Sequence, residues 1–239
     1  PVIPMKKFRG QGKAGAYGEF MIETDWHLGR ILKWLDEEKL SEDTMVIFTS
    51  DNGPERTWEK RVELYGHHSN GIYREGKRSI YEGGHRVPFI IRWPAKVKAN
   101  SKWNEPVCQT DLLATFAGML GKSLPENAGE DSDSFYGVLA GTKETSLRVP
   151  MVHHSSQGRF AVRQGKWKLV MEDARKNKRE LYDLSADPRE TKNLISEHPD
   201  IARQLSTKLT ALINNGRSTP GKSQKNDTPL WRDLVWIRK

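Results

Sequence analysis

The chain has 239 residues, enough to bury a sizeable core as one large domain or as one domain with a smaller partner. Its formal charge of +8 is scattered over 39 basic and 31 acidic side chains, so anionic partners are favoured but no nucleic-acid partner is expected. A single cysteine, Cys108, excludes an internal disulfide framework and a multi-cysteine zinc site, and no apolar run approaches the roughly 20 residues of a membrane-spanning helix.

Residues 1 to 13, rich in Pro, Gly and Lys, read as a surface loop. Tyr17, Phe20, Met21, Leu28, Ile31, Leu32 and Leu35 recur at helical spacing and predict an amphipathic helix over about 15–39. Thr44 to Thr49 is rich in β-branched and aromatic residues and predicts a short strand buried on both faces. A helix followed by a buried strand is the order of an α/β parallel sheet. The polar, glycine-bearing stretch from Asp51 to Arg86 is too long for an ordinary connection, so chemistry is expected there. Val87 to Trp93 predicts a second buried strand, with Pro88 near its start or at an edge. Thr110 or Asp111 caps a helix carrying Leu112, Leu113, Phe116 and Leu120, and Gly121 stops it.

After a loop over 121–149 the pattern changes to strands in series. Val149 to His154, Phe160 to Arg163, Trp167 to Val170 and Glu180 to Leu184 read as strands, with Gln164-Gly165-Lys166 turning a hairpin and Asp187-Pro188-Arg189-Glu190 a turn. A final helix over about 197–214 places Ile201, Leu205, Leu209, Leu212 and Ile213 on one face. The expected organisation is an α/β portion over 1–148, a small antiparallel sheet packed by one helix over 149–215, and a tail over 216–239 anchored by Trp231 and Trp236.

The chemistry concentrates after the first strand. Asp51 and Asn52 offer a carboxylate and an amide oxygen, which suit a hard cation such as Ca²⁺ or Mg²⁺, at the carboxyl end of a strand where α/β sheets bind ligands. The same Asp-Asn-Gly is also a common turn. Lys77 follows Gly76, so its backbone can come close to a ligand and its ammonium can meet a sulfate or phosphate oxygen; a solvated surface lysine is the bland alternative. Glu82 and Arg86, four apart around Gly83-Gly84, read as an ion pair fixing a turn. His68, His153 and His154 are candidate hydrogen-bond or proton donors at a substrate pocket, and without nearby cysteines or helical i, i+4 placement they do not read as a zinc site. Cys108 lacks an activating base and reads as a buried structural thiol.

In their order and spacing these segments resemble the sulfatase family of the alkaline-phosphatase superfamily, of the arylsulfatase and glycosaminoglycan-sulfatase type. The resemblance is carried by Tyr17-Gly18-Glu19 through Asp25 and Gly29, by Val46 to Glu55, and by Gly76-Lys77 with Tyr81 to Pro88. Asp111 to Thr115, Phe160 to Leu169, and Leu181-Tyr182-Asp183-Leu184 with Asp187-Pro188 and Glu190 extend it over nearly all of residues 1 to 215. It implies an alkaline-phosphatase-like mixed sheet with flanking helices plus a small α+β C-terminal domain. It further implies that Asp51 and Asn52 bind Ca²⁺ and that Lys77 contacts the sulfate of a sulfated small molecule or glycan; His68, His153, His154, Arg159 and the tail from Gly216 onward are expected to line the leaving-group pocket. A periplasmic or secreted location goes with the family.

The family's nucleophile is a formylglycine made within a Cys/Ser-x-Pro-x-Arg motif, and no such motif occurs in these residues. The chain is therefore expected to be the C-terminal part of a sulfatase, inactive alone, whose partner is the N-terminal half of its own catalytic domain. Two other readings remain open: a phosphoesterase or phosphonate hydrolase of the same superfamily, and a non-catalytic module binding sulfated glycan.

Overall fold

A computed structural model describes residues 2–142, 150–227 and 231–238. The chain forms two compact units, one made of Pro1–Lys77 and Gly83–Ser101 and the other of Arg78–Glu82 and Lys102–Lys239. It thus leaves the first unit after Lys77 and re-enters it at Gly83.

In the first unit, helix α1 (Gly15–Glu37) follows the predicted periodicity. Its end is set by Lys39 at φ 59°, with the Leu40 amide donating to the Leu35 carbonyl at 2.8 Å, so the last carbonyls are satisfied by a left-handed residue that is not glycine. Only Leu35 of the helix is buried, whereas Phe20, Met21, Ile31 and Trp34 are 41–53% exposed. Strand β1 (Val46–Thr49) comes next, and in the polar stretch beyond it two helices form that sequence periodicity did not predict. They are α2 (Trp58–Tyr65), stopped by Gly66 at φ 64°, and the single turn α3 (Glu82–His85). Strand β2 (Phe89–Arg92) starts directly after Pro88 and pairs with β1 in antiparallel register, Val46 opposite Arg92 and Thr49 opposite Phe89.

Two expectations about these strands need correction. The helix-then-strand order pointed to a parallel neighbour, but every pairing among the described residues is antiparallel. Both strands are half-buried rather than buried, and Ile90 is 58% exposed. A strand is buried only when layers cover both of its faces, and the described residues of this unit do not cover Ile90.

In the second unit, α4 (Leu112–Met119) is stopped as expected by Gly121 at φ 62°, with the Lys122 amide on the Ala117 carbonyl at 2.9 Å. Asp111 does not cap α4 with its side chain; its Oδ2 accepts the Cys108 amide at 2.7 Å and its Oδ1 the Asp133 amide at 3.1 Å. Cys108 is half-buried, not the buried thiol expected, because it borders this turn instead of the core. A short helix α5 (Tyr136–Leu139) interrupts the predicted loop.

The strands in series form a four-stranded antiparallel meander: β3 (Met151–His154), β4 (Phe160–Gln164), β5 (Trp167–Val170) and β6 (Glu180–Asp183). Val149 lies outside the described residues. Gly165 takes φ 55° in the two-residue turn between β4 and β5, as the hairpin reading requires. Helix α6 (Pro199–Asn215) begins with Pro at its first turn and ends at Gly216, φ 67°.

Strand alternation sorts the core into two clusters. Val162, Leu169 and Leu181 pack with Ala202, Leu205 and Leu209 of α6 and with Leu234 and Trp236 of the tail. Ala161, Val170 and Tyr182, next along the same strands, pack instead with Ile80 and Tyr81. Trp236 is the anchor expected of the tail, its Nε1 donating to Thr210 Oγ1 at 3.1 Å, while Trp231 is 48% exposed.

Asp183, at the end of β6, shows how the polar rim of this unit is held. Burial opposes its charged form, but hydrogen bonds from Lys166 Nζ at 2.7 Å and from the Ser185 hydroxyl and amide outweigh it and hold the carboxyl at about 2. A depressed carboxyl stabilises the fold above its unfolded value and stops doing so as pH falls through its folded one. Asp183→Asn should therefore cost roughly 1–2 kcal/mol at neutral pH, and its difference from the parent should vanish between about pH 4 and about pH 2, measured by urea unfolding across that range.

Candidate active site

The loop that leaves β1 is organised by its own polar groups. Ser50 Oγ donates to the Asn52 carbonyl at 3.0 Å, and Asn52 Nδ2 donates to the Gly53 carbonyl at 3.0 Å. With its NH₂ engaged, Asn52 keeps Oδ1 as an acceptor, next to the solvent-exposed Asp51 carboxylate.

Glycine decides what this loop packs against. The Gly53 amide donates to the Gly84 carbonyl at 3.0 Å, and a Cβ on Gly53 would stand 1.8 Å from the Gly83 carbonyl oxygen. No side chain fits there. On the other side of the loop, the Lys77 amide donates to the Pro54 carbonyl at 2.8 Å, an approach that Gly76 permits because a Cβ there would lie 2.5 Å from the same oxygen. Pro54 thus ties Lys77 to the Asp51-Asn52 loop.

Lys77 Nζ lies 3.6 Å from Glu55 Oε2, with the two side chains 34% and 45% exposed. Such a pair is worth little, so the ammonium can turn to an incoming anion at small cost. Glu55 was part of the quoted motif but had no role assigned from sequence; its carboxylate is legible as a partner only once Lys77 folds back onto Pro54.

The histidines divide between the units. His68 is exposed in a turn of the first unit, where its carbonyl accepts the Gly71 amide at 2.9 Å. His153 and His154 lie on β3 of the second. His153 is buried, and the His154 ring packs 4.6 Å from Phe160 and 5.6 Å from Trp231. Burial pushes the His154 pKa down while Asp233 pulls it up. Arg159, expected among pocket-lining residues, is buried and donates to the carbonyls of Met171 and Lys178 at 2.8 Å and to the Tyr81 hydroxyl at 3.3 Å. Its guanidinium is spent on holding the second unit together.

The donor set suits a hard cation: one exposed carboxylate and one amide oxygen, with no sulfur. It is partial, since Ca²⁺ takes about six to eight oxygens and no group of three or more His, Cys, Asp or Glu among the described residues forms a metal cluster.

Comparison with known proteins defines the family. The sulfatase family profile matches residues 4–122, and the profile described as N-sulphoglucosamine sulphohydrolase, C-terminal, matches residues 70–215. The chain belongs to the sulfatase family of the alkaline-phosphatase superfamily. It is 38% identical to an N-acetylgalactosamine-6-O-sulfatase of Bacteroides thetaiotaomicron over 89% of its own length, and 38% identical to human steryl-sulfatase over 66%. A solved Bacteroides thetaiotaomicron structure, from work on the metabolism of multiple glycosaminoglycans, superposes with a TM-score of 0.78 at 37% identity over 89% of this chain. The chain spans 44% and 27% of the two curated relatives and 47% of that solved chain.

The glycine contacts make a sharp contrast testable. Gly53→Ala should cost at least about 2 kcal/mol, because two main chains must separate to admit a methyl group. Gly29→Ala, inside α1 with open space around its Cβ, should instead stabilise by about 0.5–1 kcal/mol. Thermal and urea unfolding of the two variants measures both.

Proposed function

We propose that this chain carries the sulfate-contacting and part of the calcium-binding machinery of a sulfuric ester hydrolase acting on a sulfated small molecule or glycan. The observation that carries the reading is the Lys77 amide on Pro54, which sets an accessible ammonium beside the Asp51-Asn52 loop at the carboxyl end of β1. The sulfatase names of the relatives support the reaction class.

In this reading Asp51 Oδ and Asn52 Oδ1 hold the calcium ion, which when bound supplies Lewis-acid neutralisation of sulfate charge. Lys77 leaves Glu55 for a sulfate oxygen, and its ammonium stabilises the charge that builds there as the S–O bond breaks. In the same reading His68, exposed in its turn, donates a hydrogen bond to the alcohol portion of the substrate. The nucleophile, a formylglycine in this family, and the other calcium ligands come from residues outside these 239, in the preceding half of the same catalytic domain. The exposed Phe20, Ile31, Trp34 and Ile90 support such a partner, since a contiguous protein layer is the natural cover for apolar groups of a helix and a strand in one unit.

The 239-residue chain alone should therefore not hydrolyse an aryl sulfate, whereas the longer protein carrying it should. In that protein Lys77→Ala should lower kcat/KM by about 100-fold or more, and Asp51→Asn should weaken calcium affinity, read as a higher calcium concentration needed to restore activity after chelation. Faster turnover of a matched aryl phosphate than of the aryl sulfate would overturn the assignment.

A further inference from the structure

Three motif segments that the proposed chemistry does not use meet at one buried lysine. Lys168, in the middle of β5, is completely buried, with its Nζ 3.0 Å from Glu82 Oε1 and 2.9 Å from Glu190 Oε1. Both carboxylates are buried as well, and Arg163 Nη1 reaches Glu82 Oε2 at 3.4 Å. The Glu190 Oε2 atom accepts the main-chain amide of Glu82 at 2.6 Å. Glu190 sits at φ 54°, a left-handed backbone that a glutamate adopts only when its surroundings demand it. Burial raises the Glu190 pKa, against the pull of Lys168.

What this network grips is the short span Arg78–Glu82. The same span is held by the Ser156 amide on the Arg78 carbonyl at 3.2 Å and by the Tyr81 hydroxyl on Glu180 Oε2 at 2.7 Å. The residues that bracket the span, Lys77 on one side and Gly83-Gly84 on the other, are those that stitch the Asp51-Asn52 loop at Pro54 and at Gly53. The five residues Arg78–Glu82 are therefore all the chain that lies between the two stitches.

We propose that Lys168 and Glu190 are positioning residues, which by clamping Glu82 fix the span 78–82 and so hold Lys77 and the Asp51-Asn52 loop in register for sulfate. They touch no substrate; their effect runs through the covalent chain. The inference rests on the sulfatase reading for its catalytic consequence but not for its mechanical one.

The test compares two variants of the longer protein by amide hydrogen exchange and by kinetics. Lys168→Met removes the buried ammonium that faces two buried carboxylates and should unfold readily. The triple variant Glu82→Gln, Lys168→Met, Glu190→Gln removes all three charges, so it should fold while losing the directional clamp. In the triple variant, exchange at the amides of Gly53, Lys77 and Gly83 should quicken by about tenfold or more relative to Val162 and Leu169 of the β4–β5 ladder. With an aryl sulfate, kcat should fall by about tenfold or more while KM stays within about twofold. If those three amides keep their exchange rates relative to the ladder, the network only neutralises buried charge and the proposal fails. A parent protein that hydrolyses no sulfate ester would sink the sulfatase reading instead, leaving the exchange comparison to decide the clamp.

Discussion

The site depends on two main chains lying closer together than any side chain allows. With a carbonyl oxygen occupying the place of a Cβ on Gly53, the loop after β1 is sealed against Gly83-Gly84, and Asp51 and Asn52 are presented from that seal. Glycine's lack of a side chain is thus used for contact, not for flexibility: Gly53 itself does not adopt a left-handed conformation. Gly76 does the same on the other side of the loop, against Pro54. The functional side chains are short or semi-exposed, so their placement is decided by backbone alone.

Much of this was legible in the sequence. The hairpin around Gly165, the helix α6 between Pro199 and Gly216, and the stop at Gly121 follow from turn and cap chemistry that needs no tertiary context. The candidate oxygen donors and lysine were proposed from residue type and position after a strand. Pairing direction was not legible, because the composition of Val46 to Thr49 fits a parallel or an antiparallel neighbour equally well. Helix α2 escaped because it is only eight residues long and mostly polar, too short for a periodic apolar run to stand out; Gly66 ends it by a local device that periodicity does not weigh. The lysine of Trp167-Lys168-Leu169-Val170 reads as an outward residue on an alternating strand, and nothing local reveals its burial. Its counter-charges lie 86 residues upstream at Glu82 and 22 downstream at Glu190. Glu82 and Arg86 were expected to pair across a turn; Glu82 also meets Lys168 and Arg163, and the Arg86 guanidinium stands 4.7 Å over the Tyr73 ring.

The two units solve the burial problem differently. The second covers both faces of its meander, one with α6 and the tail and the other with Ile80 and Tyr81, and can therefore afford a charged network in its interior. The first keeps its apolar residues on α1 and β2 largely in contact with solvent. The net charge of +8 has no single seat: Lys77 is matched by Glu55 and the buried Lys168 by two glutamates.

The tail has a kinetic meaning. Leu234 and Trp236 close the cluster formed by β4, β5, β6 and α6, so the interior of the second unit is incomplete until the chain has been synthesised past residue 236. The first unit, by contrast, is made of residues up to Ser101. Vectorial synthesis therefore delivers the Asp51-Asn52 loop well before the residues that complete the network of Lys168 and Glu190.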